Sequence, residues 1–291
     1  MAKTTVLADG LYFAEGPRWH DGALWFSDFQ DHAVKRCTTG GIVTTEVTTP
    51  QHPSGLGWLP DGRLLIVSMQ DRKVLRREQD GTLVVHADLN HVATWHCNDM
   101  VVDAQGRAYV GNFGFDLETA FQTRTVDEII ADHATAVLAR VDPDGSVHTV
   151  ATDLHFPNGS VITPDGRTLI VGETLGFTLT AWDIAADGSL SNQRVWAPLA
   201  PRTADGICLD ADGQIWVANP FAAEVFRVAE GGEVTDVVET SQPCYACMLG
   251  GDDGRTLFAL TAASASEAEV AATRSGKIET TRVTAPRAGR P

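Results

Sequence analysis

Asp205 stands eight residues before Gly213, and the same interval separates Asn158 from Gly166 and Asn98 from Gly106. Glu15 lies seven residues before Gly22, where the turn is one residue shorter. Ser54 and Ala246 hold the corresponding places before Gly62 and Gly254. Four of these six positions therefore offer a carboxylate or amide oxygen, and none offers histidine or cysteine. An all-oxygen set selects hard cations, calcium or magnesium, over zinc or copper; calcium is the expected occupant, with Mg2+, Mn2+ and Zn2+ as the other ions to test. Two carboxylates balance its charge, two neutral amides add oxygens without further repulsion, and positions remain for water or substrate. Without a cation, Glu15 and Asp205 would repel each other at close range. Asparagine before Asp or Gly is also an ordinary turn residue, so the weight rests on the shared position.

That shared position requires a repeating scaffold. Turns recur at Asp21-Gly22, Asp61-Gly62, Gln105-Gly106, Asp165-Gly166, Asp212-Gly213 and Asp253-Gly254, each followed by a short apolar run such as Leu64-Leu65-Ile66-Val67 or Ile215-Trp216-Val217. Glycine in such turns takes the positive φ that a tight hairpin needs. A third strand with a basic or polar end follows in most units, for example Val74-Leu75-Arg76, and then a second glycine turn and a fourth strand. Four strands in a unit of about 40 residues is the pattern of a propeller blade. The expectation is an all-β, six-bladed β-propeller with four antiparallel strands per blade, forming one domain over residues 1–291. Thr4-Thr5-Val6-Leu7 would supply the outermost strand of the last blade, beside a strand near residues 277–283. Two units are longer, by residues 115–135 and 264–273. Both insertions fall between a second and a third strand, so both should overhang the face where the inner strands begin. Val126–Ile130 reads as a short helix.

The formal net charge is -16, which argues against nucleic acid or an anionic membrane as partner. Five cysteines, an odd number in a long chain, do not suggest a disulfide framework. No apolar run reaches membrane-spanning length, and the first ten residues lack a signal-like apolar stretch. The expected location is the cytoplasm. The composition leaves the oligomeric state open.

The segments Glu15-Gly16-Pro17-Arg18-Trp19, Asn98-Asp99-Met100-Val101-Val102-Asp103, Pro157-Asn158-Gly159 and Ala204-Asp205-Gly206-Ile207-Cys208-Leu209-Asp210 resemble the gluconolactonase, senescence-marker-protein (regucalcin) and luciferin-regenerating-enzyme family nearly end to end. The resemblance implies a six-bladed propeller, calcium or another divalent ion on Glu15, Asn98, Asn158 and Asp205, and hydrolysis of a lactone with Asp205 as both ligand and base. Sugar-lactone members carry an arginine two residues before the third-blade asparagine, and here that residue is His96. His96 can donate a hydrogen bond or shuttle a proton. The positions two before each ring residue read Phe13, His52, His96, Phe156, Thr203 and Cys244, a less polar mouth than a sugar would want. Candidate substrate contacts are therefore His96, His52, Ser54, Phe156 and Cys244, and the partner is a small lactone or ester. Two alternatives stand beside this reading: a calcium-dependent hydrolase of phosphotriesters, and a calcium-binding propeller without catalysis.

Overall fold

The structure, a computed structural model, describes residues 2–291. Short strands joined by glycine turns stack into six sheets around an axis. From the inside outwards, blade one is Ala14–His20, Ala23–Asp28, Ala33–Cys37 and Val43–Thr48. Blade two is Pro53–Trp58, Leu64–Ser68, Lys73–Arg77 and Leu83–Asp88. Blade three is Cys97–Val102, Ala108–Asn112, Ala136–Val141 and Val147–Leu154. Blade four is Pro157–Ile162, Thr168–Glu173, Thr178–Ile184 and Leu190–Pro198. Blade five is Ile207–Leu209, Ile215–Asn219, Glu224–Val228 and Val234–Glu239. Blade six is Cys244–Gly250, Thr256–Thr261 and Gly276–Arg282, completed by Thr5–Leu11 from the other end of the chain. The expected closure is thus present, with Thr5 opposite Thr280 and Leu11 opposite Gly276.

Two further ties were not legible in the repeat. Ala2–Lys3 adds a fifth strand to blade five, parallel to Val234–Glu239. Residues 286–290 cross the face at which the inner strands end. Ala211 N donates to Pro286 O, Ala288 N to Leu209 O, and Ile162 and Arg290 exchange two backbone bonds of 2.7 and 2.8 Å. The tail therefore laces blades six, five and four together from below.

The core lies between blades, where Trp216, Phe226, Phe258 and Phe26 are fully enclosed. Each such side chain contributes roughly 1.5–3 kcal/mol by burial. All five cysteines are free and buried. The two insertions carry helices, Leu117–Thr123 and Val126–Ala131 in blade three and Glu267–Thr273 in blade six. Val126–Ala131 covers the helix expected there. It begins at Thr125 with reciprocal capping by Glu128, which satisfies two otherwise unpaired N–H groups. No described helix is long and apolar enough to cross a membrane.

Candidate active site

Each inner strand delivers its ring residue by the same local irregularity. Glu15, Ser54, Asn98 and Asn158 are each the second residue of their strand, and Asp205 comes two residues before Ile207–Leu209. Pairing with the neighbouring strand slips across residues 15–18, 53–56, 97–100 and 157–160, and across 244–246 in blade six. A bulge re-aims one side chain out of the ladder, and here it does so in five blades at equivalent positions. The next residue is often glycine because neighbouring inner strands nearly touch. A Cβ on Gly55 would lie 2.4 Å from Met100 N, and one on Gly159 would lie 2.4 Å from Ile207 N. This close approach narrows the channel at the level of the ring.

Hydrogen bonds join the ring side chains. Ser54 Oγ donates to Asn98 Oδ1 at 3.2 Å, and Asn98 Nδ2 donates to Asn158 Oδ1 at 3.1 Å. Asn158 Nδ2 donates to Thr174 Oγ1, which in turn donates to Ala204 O. These bonds hold each amide in one rotamer, and each amide oxygen keeps a second lone pair beyond the bond it accepts. Ser54, only 2% exposed, thus orients Asn98 rather than reaching into the mouth.

The electrostatics of the ring are unbalanced. Burial, followed by the charges of neighbouring carboxylates, pushes both Glu15 and Asp205 well above the usual carboxylate range. For Glu15 the neighbour is chiefly Asp205, and for Asp205 it is Asp99. The cation on hand is Arg18, buried behind the ring. It pairs with Asp99 at 2.7 Å and also donates to Leu56 O and Met100 O. Asp99 Oδ1 is further held by Met100 N, so Asp99 faces Arg18 rather than the axis. With Glu15, Asp99 and Asp205 ionised, Arg18 leaves two negative charges uncompensated. A divalent cation would neutralise them, and the all-oxygen donor set fits a hard one. Among the described residues no three histidine, cysteine or carboxylate side chains are grouped to hold a metal. Such a cation would take half of its protein ligands from amide oxygens.

Phe13, His52, His96 and Phe156 each stand two residues before a ring position, and Phe13, His52 and Phe156 are buried. His96 stacks on Trp95 at 5.2 Å and lies near Phe113. Burial holds its pKa below the ordinary value against the opposing pull of Asp116. His52 is held low in the same way, with Glu267 4.0 Å from its Nε2. Asp116 and Glu267 belong to the two insertions, so both insertions overhang this face as expected. Cys244 does not border the entrance. It is fully buried in the core with its thiol turned to Ala246 O and Leu260 O, because the bulge after it turns Tyr245 outward instead. Tyr245 packs edge-on against Phe13 at 4.7 Å. Its phenol is pushed up by burial and by the charges of Asp205 and Glu15. Sequence reasoning missed Tyr245, Thr174, Asp99 and Arg18 as parts of the site. The apolar–aromatic–apolar run before Met248 gave no sign of a bulge, Asp99 and Arg18 meet across blade boundaries, and Thr174 meets Asn158 from past the end of the neighbouring strand.

The sequence pattern described as the SMP-30/Gluconolactonase/LRE-like region matches residues 13–263, which include all four candidate ring ligands. The chain belongs to this family. Pentonolactonase XacC of Haloferax volcanii is 26% identical over 277 residues, covering 90% of this chain and 86% of its own length. A calcium-binding protein, regucalcin, from Agrobacterium tumefaciens superposes with a TM-score of 0.79 at 21% identity, covering 100% of this chain and 96% of that one. A gluconolactonase from Xanthomonas campestris superposes with a TM-score of 0.73 at 24% identity, covering 97% and 88%. The two superpositions establish the shared propeller. Family membership supports lactone hydrolysis in broad terms.

Proposed function

We propose that this chain hydrolyses a small lactone with the help of one divalent cation, calcium foremost, held by Glu15, Asn98, Asn158 and Asp205. One observation supports the reading: two enclosed carboxylates, Glu15 and Asp205, lie near enough for the charge of Asp205 to raise the pKa of Glu15, beside the hydrogen-bonded amides of Asn98 and Asn158, and Arg18, the cation on hand, is already paired with Asp99. Bound there, a divalent cation supplies Lewis-acid polarisation of the substrate carbonyl. Asp205 acts as general base. It accepts a proton from a water as that water's oxygen bonds to the carbonyl carbon. The bond from that carbon to the ring oxygen then breaks, and the proton passes to the freed alkoxide. The product is an open hydroxy acid. Asn98 and Asn158, pinned by Ser54 and Thr174, keep their positions through the cycle. His96 stands at the rim as a hydrogen-bond donor to the substrate.

The test is acid release from a panel of lactones and one phosphotriester. The protein is first stripped with chelator, then resupplied with Ca2+, Mg2+, Mn2+ or Zn2+. The expected outcome is lactone opening that depends on added cation and exceeds phosphotriester turnover. Calcium binding with no hydrolysis of any lactone would instead favour a binding propeller. Faster phosphotriester turnover would reassign the chemistry.

A further inference from the structure

Two aromatic clusters stand on opposite sides of the entrance. The first joins Phe13 and Phe29 of blade one to Tyr245 of blade six, with ring centroids 5.4 and 4.7 Å apart from that of Phe13, and Val270 of the Glu267–Thr273 helix packs against them. The second joins Phe113 of blade three to Phe156 and Leu175 of blade four, with Phe113 and Phe156 edge-on at 4.8 Å and Ile129 of the Val126–Ala131 helix behind them. In a ring of six, blades one and six lie across the axis from blades four and three. The two clusters therefore lie on opposite sides of the axis that carries the candidate cation ring. Each is backed by one insertion helix, so neither insertion is mere surface decoration.

Phe156 adds an independent sign. It adopts φ 59°, the left-handed region that a bulky residue rarely enters. It also precedes Pro157, a place that favours extended backbone. Strain of this kind persists where surroundings impose it, often at functional sites. Here it turns a phenyl ring, two residues before Asn158, towards Phe113 at the mouth. Charged groups at the rim are few and of both signs. Asp116 and Glu267 act on His96 and Arg72 is the cation in range, donating to Ala93 O, while Arg274 stacks on Tyr12. Both phenylalanines that stay largely exposed, Phe121 and Phe221, stand on segments joining second to third strands, on this same face.

We propose that the space between these walls selects a lactone bearing an apolar arm, aryl or alkyl, over a polyhydroxylated one. The inference rests on the lactonase reading for its reactive group, and on the opposed walls for the rest of the substrate. An arm held between Phe13 and Phe156 leaves the lactone carbonyl directed down the axis towards Asp205. A sugar lactone would bring hydroxyl groups against two faces that offer them few partners, and unpaired polar groups are disfavoured there.

The experiment compares γ-phenyl-γ-butyrolactone, γ-nonalactone, γ-butyrolactone and D-gluconolactone on cation-replete protein, for the native chain, Phe156→Gly and Phe13→Leu. Glycine accepts φ 59° without strain, so Phe156→Gly removes the ring while retaining the backbone path. Circular dichroism checks that it folds. The expected order of kcat/KM places γ-phenyl-γ-butyrolactone and γ-nonalactone, with its pentyl arm, above the other two. In Phe156→Gly the phenyl lactone should lose about tenfold or more relative to γ-butyrolactone, chiefly in KM, in the range expected for lost apolar pocket contacts. Gluconolactone preferred by the native chain, or equal losses for all four, overturns the inference while leaving lactone hydrolysis standing. If no lactone is opened, binding of the inert lactam 5-phenyl-2-pyrrolidinone decides. Saturable binding weakened by Phe156→Gly supports the inference. No binding, or binding indifferent to Phe156→Gly, sinks it.

Discussion

Asp205 is assigned two duties, ligand and base, and a single atom exchange separates them. Asp205→Asn keeps one oxygen and the side-chain size but removes the charge and the basic site. Lactone opening should fall by roughly a hundred- to ten-thousandfold, the range of lost general-base catalysis, and the loss should persist at saturating cation. Asn98→Ala is the companion. It removes a neutral oxygen, so excess cation should restore part of its rate. Full rescue of Asp205→Asn by cation would remove the base role and turn attention to His96. Arg18 offers a second check at this scale. It is 5% exposed and pairs with the buried Asp99, so Arg18→Met should lower stability by about 3–5 kcal/mol by leaving an uncompensated buried charge. Denaturant unfolding of the variant measures it. The four ring residues were legible because a fixed offset from a turn glycine translates into a fixed height on the axis. Arg18 was not, because its partners Leu56, Asp99 and Met100 come from other blades, and no spacing within one repeat encodes a contact between two; Thr174 was not, because it sits past the end of the second strand of its blade and joins Asn158 there to Ala204 of the next.

The strands followed from hairpin chemistry, and so did both insertions and their face, because an up-down meander returns there after its second strand. The bulges did not follow. They depend on how closely adjacent inner strands approach, and a one-residue slip turns Tyr245 towards Phe13 and leaves Cys244 in the core. The insertion of blade three is the element whose role is most open to measurement. Replacing residues 115–135 with a short Gly-Asn turn removes Ile129 from behind Phe156 and Asp116 from the field of His96. The propeller should stay folded, since the flanking Ala108–Asn112 and Ala136–Val141 remain paired through Val110 and Ala139. KM for a lactone should rise, and more for a substrate with an apolar arm than for one without. Loss of cooperative thermal unfolding in this variant would show instead that the insertion is needed for the fold. The C-terminal strap makes the opposite prediction. Removing residues 286–291 leaves Ile162, Leu209 and Ala211 without four backbone bonds on the far face, so it should lower the melting temperature while leaving KM nearly unchanged.

At the scale of the whole ring, the same carboxylates that would hold a cation oppose folding without one. Glu15 and Asp205 draw together only when all six blades have closed, since they come from blades one and five. Their carboxyl groups are raised in the folded state by burial first and by neighbouring negative charge second. The folded chain then retains protons that the unfolded chain releases. The stability from this pair is fully present below the ordinary carboxylate pKa of about 4, and it is lost as pH rises through the raised values. Chelator-treated protein should therefore lose stability between acid and neutral pH relative to the double variant Glu15→Gln/Asp205→Asn, whose amides do not titrate. Comparison with that variant cancels the repulsion that the acidic surface adds to both. Calcium should invert the order. An ion that binds the folded state alone stabilises it by about 2.7 kcal/mol at a hundredfold excess over Kd, and it binds the ionised pair, so the gain should grow with pH in the native chain and be nearly absent in the double variant. Thermal unfolding of both proteins, with chelator and with calcium, at several pH values gives the four curves needed. A native chain whose melting temperature ignores calcium at neutral pH, or a double variant that responds equally, would remove the cation from the axis and with it the reason for bringing two carboxylates together there.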